Sequence, residues 1–379
     1  MRRVLILTLV CGVFGTCGRV SEAKDPPRKA TVQVALLLDT SNSMDGLIDQ
    51  AKTQLWSIVN EFIRAKQDGK PPVLEVALYE YGNDNLPASE GHVRLVLPLT
   101  DDLDAISEQL FALKTNGGQE YCGQVIHDAL KQLEWSASSG VYKAIFIAGN
   151  EPFSQGTVDF RESCRAAIEK GILINTIFCG PTTEGEATGW KDGAVLADGR
   201  FMSIDQNQKV VAIPAPQDTE LAKLGGDLNK TYLPYGKLGR EGQTRQWAQD
   251  ANASNASPTA AATRSISKGC AMLYCNDAWD LVDAIKTGKC KLDEIKDEDL
   301  PEDFRKLSKA DRSARIAELT KMRETLQQRI AQLGKERDAF LTAERKRQIA
   351  ESSETLESLI LKAVREQASR ANFRFESSP

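Results

Sequence analysis

Asp39, Ser41 and Ser43 stand at alternate positions in the run Asp39-Thr40-Ser41-Asn42-Ser43. One carboxylate and two hydroxyls on a single tight loop make a set of hard oxygen donors, the kind that suits Mg²⁺, Mn²⁺ or Ca²⁺. The run follows Val32-Gln33-Val34-Ala35-Leu36-Leu37-Leu38, a near-continuous apolar stretch that reads as a strand covered on both faces. The donors therefore belong at the mouth of a buried strand. The same residue types are also ordinary cap and turn chemistry for a following helix, in which case Asp39 would hold backbone amides instead of an ion.

Other reaction chemistries lack their residues. No Gly-x-Ser-x-Gly elbow and no Gly-x-x-x-x-Gly-Lys-Ser/Thr loop occurs. The two histidines are His92 and His127, and no Cys-x-x-Cys pair is present, which argues against zinc. The formal charge is −5. A mildly acidic chain argues against nucleic acid as a partner.

The elements that must position the loop alternate between periods of 2 and 3.6 residues. Residues 32–38, 73–81, 93–97, 143–148 and 172–178 read as strands, with 93–97 nearer an edge, and a last strand is expected around 231–234. Residues 45–65, 103–113, 123–135, 160–170 and 219–229 read as helices. Such alternation implies an α/β fold, a doubly wound and mostly parallel sheet with helices on both faces. Residues 180–216 interrupt the pattern. The Asp198-Gly199 step is a hairpin signal, so this stretch is expected to be an inserted β-meander. It leaves the carboxyl end of its strand, which would let Trp190, Asp192, Arg200 and Asp205 wall the site.

Composition changes after Gly236. Residues 237–269 are rich in Gln, Ala, Asn, Ser and Thr and read as a linker. Residues 270–300 read as a small helical connector. Residues 301–375 form a charged helical tail in which Leu319, Met322, Leu326, Ile330, Leu333 and Phe340 make a coiled-coil-like seam. The tail is expected to fold as a hairpin, to pair with a second chain in self-association, or to lie on the sheet domain.

At the other end, Arg2 and Arg3 precede an apolar run and Ser21-Glu22-Ala23 offers small residues. Residues 1–23 read as a signal peptide, and the protein as periplasmic or extracellular. Six cysteines follow the leader: Cys122, Cys164, Cys179, Cys270, Cys275 and Cys290. An even count in an exported chain favours disulfides. Cys122–Cys164 is the expected pair, with Cys270 and Cys275 close enough to close a small loop. No segment after the leader is apolar enough to span a membrane.

Asp39-x-Ser41-x-Ser43 after a buried strand, a Gly117-Gly118 loop before a helix and the βα alternation together resemble the von Willebrand factor A (VWA) domain of secreted, bacterial-type proteins. The resemblance covers residues 31–236. It implies a metal-ion-dependent adhesion site built from three loops. The first loop matches completely. The second normally carries a threonine where Gly117-Gly118-Gln119-Glu120-Tyr121-Cys122-Gly123 has Glu120. The third normally ends its strand with an aspartate where Ile147-Ala148-Gly149-Asn150-Glu151-Pro152 has Gly149. The resemblance thus implies a variant site of Asp39, Ser41, Ser43, Glu120 and Glu151, with Asn150 as a further ligand. Glu120 adds negative charge at the ion, which favours tighter binding or the larger Ca²⁺ and weakens the ion's call on a partner's acid. The implied function is a non-enzymatic module that recognises a protein or cell-surface ligand. The alternatives are a scaffold with a vestigial site and an assembling tail, and a metal-dependent hydrolase in which Glu120 and Glu151 serve acid–base chemistry.

Overall fold

A computed structural model describes residues 30–204, 213–348 and 356–375. The expected signal peptide and Asp205 lie outside the described residues. In chain order the first part comprises β1 (Thr31–Asp39), α1 (Asp45–Ile63), β2 (Ala65–Gln67), β3 (Val73–Tyr81), β4 (Val93–Thr100), α2 (Leu103–Ala112), α3 (Cys122–Gln132), β5 (Tyr142–Gly149), α4 (Phe160–Glu169), β6 (Leu173–Cys179), α5 (Thr182–Ala187), α6 (Trp190–Leu196) and β7 (Phe201–Ile204). The main sheet has the order β4-β3-β1-β5-β6-β7. All neighbours run parallel except β4, which lies antiparallel at the edge beside β3.

Alternation along the strands divides the core in two. Val32, Val34 and Leu38 of β1 join Leu74, Val76 and Leu78 of β3 and Ala144 and Phe146 of β5 on one face. Ala35 and Leu37 join Ala77, Tyr79, Tyr81, Ile145 and Ile147 on the other, under α3, α4 and α6. Burial on both faces is why β1 and β5 carry almost no exposed residue, as parallel strands require. Capping sets several helix starts: Asp102 accepts from the Ala105 amide and Asp159 from the Arg161 amide. Gly171, at φ 65°, ends the turn after α4 as a left-handed C-cap.

Among the described residues the inserted meander is not found, and residues 205–212 of the expected stretch lie outside them. Residues 194–197 close α6, Asp198 takes φ 50° and Gly199 fits against the Ile174 carbonyl. The chain then enters β7 parallel to β6, not a hairpin. The Asp-Gly step ends a helix here because Trp190, fully buried, anchors α6 on Phe153 and Phe178. The expected strand at 231–234 reduces to a single bridge between Pro234 and Asp280.

The second part comprises α7 (Asp218–Asn229), α8 (Gly239–Ala256), α9 (Pro258–Gly269), α10 (Leu281–Lys286), α11 (Glu302–Arg305), α12 (Lys309–Gln348), α13 (Leu356–Arg370) and β8 (Phe373–Phe375). Residues 237–269 are thus two helices and not a linker. Ser257 caps α9 through the Ala260 amide, with Pro258 at its first position. α9 is buried nearly all round, including Arg264 and Lys268. Arg264 pairs with Asp104 of α2 at 2.7 Å and Asp250 of α8 at 2.5 Å, and lies over the Trp56 ring of α1.

α12 lies on this layer: Ile330 sits against Gly269, and Arg337 pairs with Asp218. The seam residues Leu319, Ile330 and Leu333 are buried within the chain, whereas Met322 is exposed. Of the three arrangements open to the tail, the described residues therefore adopt the one lying on the sheet domain. α13 packs on α1 through Arg365 and Glu61, and β8 pairs with β2. The six described cysteines are free thiols, so the expected Cys122–Cys164 and Cys270–Cys275 disulfides are not formed. Among the described residues no helix is long and apolar enough to cross a membrane.

Candidate functional site

The carboxyl ends of β1, β3 and β5 bring three loops together, the place where open parallel sheets bind ligands. Asp39 ends β1 and is completely buried. Its Oδ1 accepts the Ser41 amide at 2.7 Å, which closes the loop on itself. Ser41 Oγ and Ser43 Oγ lie 3.1 Å apart, and Ser43 Oγ reaches Asn150 Oδ1 at 3.4 Å. Asn83 pins the loop from the side: its Nδ2 donates to the Lys114 carbonyl at 2.9 Å and reaches Thr40 Oγ1 at 3.3 Å. The Asn116 amide donates to the Thr40 carbonyl.

Glu120 enters from the Gly117-Gly118 loop and is also buried. It lies against Asp39 and Ser41, and its Oε2 accepts the Glu151 amide at 3.3 Å. Burial raises the carboxyls of Asp39 and Glu120 above their usual range, and for Asp39 the neighbouring Glu120 raises it further. Two carboxyls this close cannot both ionise without a counter-charge, so the pair needs a shared proton or a cation. Asp39 Oδ2 has no hydrogen-bond partner.

The floor is shaped by residues that the sequence motif does not contain. Gly82 sits at φ 77°, and a Cβ there would lie 2.7 Å from both Asp39 Oδ1 and Glu120 Cγ. A Cβ on Gly149 would lie 2.5 Å from Tyr81 Oη and 3.2 Å from Asp39 Oδ2. The Tyr81 hydroxyl therefore fills the space into which a longer residue 149 would project. It donates to the Ala148 carbonyl at 2.9 Å and receives the Cys122 thiol at 3.8 Å. Cys122 is thus part of the floor and not a tether to α4. Tyr81-Gly82-Asn83 at the end of a strand is the sequence signal that could have marked this role.

Of the expected ligands, Asp39, Ser41, Ser43 and Glu120 converge and Asn150 flanks them. Glu151 differs. Its side chain is exposed, and its backbone does the local work, donating to Glu120 and accepting Trp190 Nε1 at 2.8 Å. Trp190 supports that loop from beneath instead of walling the site. Arg200 pairs with Glu366 of α13, and Asp192 is exposed on α6. Among the described residues no three His, Cys, Asp or Glu side chains converge on one point.

Residues 33–189 match the family model for the von Willebrand factor type A domain. The sheet domain is a VWA domain. Structures similar to the chain include the conserved hypothetical protein BatB from Bacteroides thetaiotaomicron, at 19% identity, covering 46% of this chain and 90% of that one with a TM-score of 0.36. An aerotolerance-related membrane protein from Bacteroides fragilis NCTC 9343 is similar at 17% identity, covering 46% and 92% with a TM-score of 0.33. The SpRpn10 VWA domain is similar at 16% identity, covering 48% and 100% with a TM-score of 0.35. No curated protein matches the sequence. VWA domains are in general non-catalytic protein-interaction modules and often hold a divalent metal.

Proposed function

We propose that this protein is an exported, non-enzymatic recognition module. It holds one divalent cation on Asp39, Ser41, Ser43 and Glu120 with Asn150 at the rim, and binds a protein or surface ligand with the surrounding loops. The observation that carries this reading is the completely buried Asp39, whose Oδ2 lacks a partner while a second buried carboxyl lies against it. A divalent ion supplies the missing counter-charge, and the serine hydroxyls complete an all-oxygen donor set of the kind Mg²⁺, Mn²⁺ and Ca²⁺ take. Calorimetric titration of the three ions against the full chain tests it. Saturable heat that disappears in Asp39→Asn is expected, and equal heats in both proteins would sink the reading. The proposal of export is tested separately, by sequencing the amino terminus of the mature protein for cleavage after Ala23.

A further inference from the structure

Glu120 is carried to Asp39 by a stretch without regular structure. Residues 113–121 join α2 to α3 with neither helix nor strand. This stretch is docked first on the end of β3. The Asp84 amide donates to the Gly117 carbonyl at 2.5 Å, and a Cβ on Gly118 would lie 2.3 Å from the Gly82 carbonyl oxygen. Two residues further on, the Glu120 amide donates to Gln155 Oε1 at 2.5 Å. Gln155 belongs to the turn after β5 and stands outside the three motif loops' donor residues.

That turn is firmly mounted. The Gln155 amide donates to the Pro152 carbonyl at 2.9 Å, and the Phe153 amide to the Thr188 carbonyl at 3.0 Å. The Phe153 ring is fully buried against Phe160 and Trp190. Gly156, at φ 94°, lets the backbone lie on the Tyr121 ring, which a Cβ would approach to 2.7 Å. One turn therefore grips Glu120 at both ends. The Gln155 side chain takes its amide, and the Glu151 amide takes its carboxylate at 3.3 Å.

The two contacts depend on each other. Glu120 is buried, so its amide needs an acceptor. An amide that loses Gln155 must turn toward another acceptor or toward water, and the side chain turns with the backbone. We infer that Gln155 is a positioning residue of this site: by accepting the Glu120 amide it aims the Glu120 carboxylate at Asp39 and keeps it in the ion's donor set. The effect on the ion rests on the cation reading above.

Gln155→Met keeps the length of the side chain and removes the acceptor. Urea melts of the full chain at pH 8 in chelator compare the midpoint shift caused by Glu120→Gln in the parent and in Gln155→Met. The shift is expected to fall by at least half in the methionine background, because Glu120 there no longer faces Asp39. A merely structural Gln155 would lower both midpoints and leave the shift unchanged. An equal shift in both backgrounds, or none in the parent, overturns the inference. Calorimetry with Mn²⁺ reads the ion. Gln155→Met should bind it about 10- to 100-fold more weakly than the parent, as when a partner that orients a metal ligand is lost. Gln155→Glu, which keeps an oxygen for the amide, should bind within threefold of the parent. A loss under threefold in the methionine variant, or the same loss in both variants, overturns the inference as well. A flat titration of the parent sinks the cation site alone, and the aim of Glu120 is then decided by the urea comparison.

Discussion

Glu120→Gln should stabilise the ion-free protein at neutral pH and leave it unchanged in acid. Asp39 and Glu120 are buried together, and both carboxyls are raised above their usual values. The native state therefore keeps protons that the unfolded chain has already released. Stability tied to the pair is full below the unfolded carboxyl values, near pH 4, and is lost as pH rises through the raised native values. Two unit charges about 4 Å apart repel by about 4 kcal/mol at an effective dielectric of about 20. The glutamine removes that repulsion but loses charge-assisted hydrogen bonds worth about 1.5–3 kcal/mol. A net gain of about 2 kcal/mol at pH 8 follows, against about none at pH 4.

Urea melts of parent and variant at pH 4, 6 and 8 in chelator read the difference directly. Comparing the two proteins at each pH cancels the titration of every other carboxylate. An ion at a hundred times its Kd should then stabilise the parent by about 2.7 kcal/mol and the variant far less. A parent–variant difference that is flat from pH 4 to 8 would show that the two carboxyls do not share a proton. A variant less stable at pH 8 would do the same.

Arg264→Leu leaves Asp104 without its buried counter-charge and Asp250 with Lys268 alone, and urea melts should show a loss of about 3–5 kcal/mol; a loss below about 1 kcal/mol would contradict the packing described for α9. Gly149→Asp drives its Cβ against Tyr81 Oη, so it should destabilise strongly. Adding Tyr81→Phe should recover at least about 1 kcal/mol of that loss in a double-mutant cycle. Ending the chain after Gly236 strips α8, α9, α12 and α13 from one core face, so near-UV circular dichroism should show no fixed tertiary packing. A soluble, cooperatively melting fragment would show that the sheet domain stands alone.

The sheet and the first loop were legible because their signals are local. β1 is apolar throughout, as a doubly covered strand must be, and Asp39, Ser41 and Ser43 follow within a few residues. The helices α1 to α4 carry apolar residues at helical spacing, and α2 and α4 start on the capping aspartates Asp102 and Asp159. Glu120 was legible as a departure from a known loop, and it does reach Asp39. Glu151 was not placed correctly, because a short turn lets either the side chain or the backbone face inward and composition does not choose between them. The role of Tyr81 was hidden for a different reason. Its hydroxyl approaches Asp39 across the sheet, from a strand whose apolar and aromatic residues read as ordinary core.

The helical layer was missed because its periodicity is written in small and polar residues. On α8 the buried positions are Gly239, Gly242, Gln246, Gln249 and Ala253, spaced by three, four, three and four. That is a helix face, but a hydrophobic scan passes over it and composition reads it as linker. The small residues serve close approach: a Cβ on Gly242 would lie 2.4 Å from the Trp279 ring, and one on Gly225 would lie 2.2 Å from Ser265 Oγ. Where backbones come this near, little apolar side chain fits, and the interior is completed by paired polar groups instead. Lys268 reaches Asp250 and Asn229, and Ser107 reaches Gln249 at 2.8 Å. Such groups are tolerable only when every partner is present. The layer thus gains much of its order from pairing across long sequence separations, 43 residues between Lys268 and Gly225 and 160 between Arg264 and Asp104. No window of sequence contains both members of such a pair.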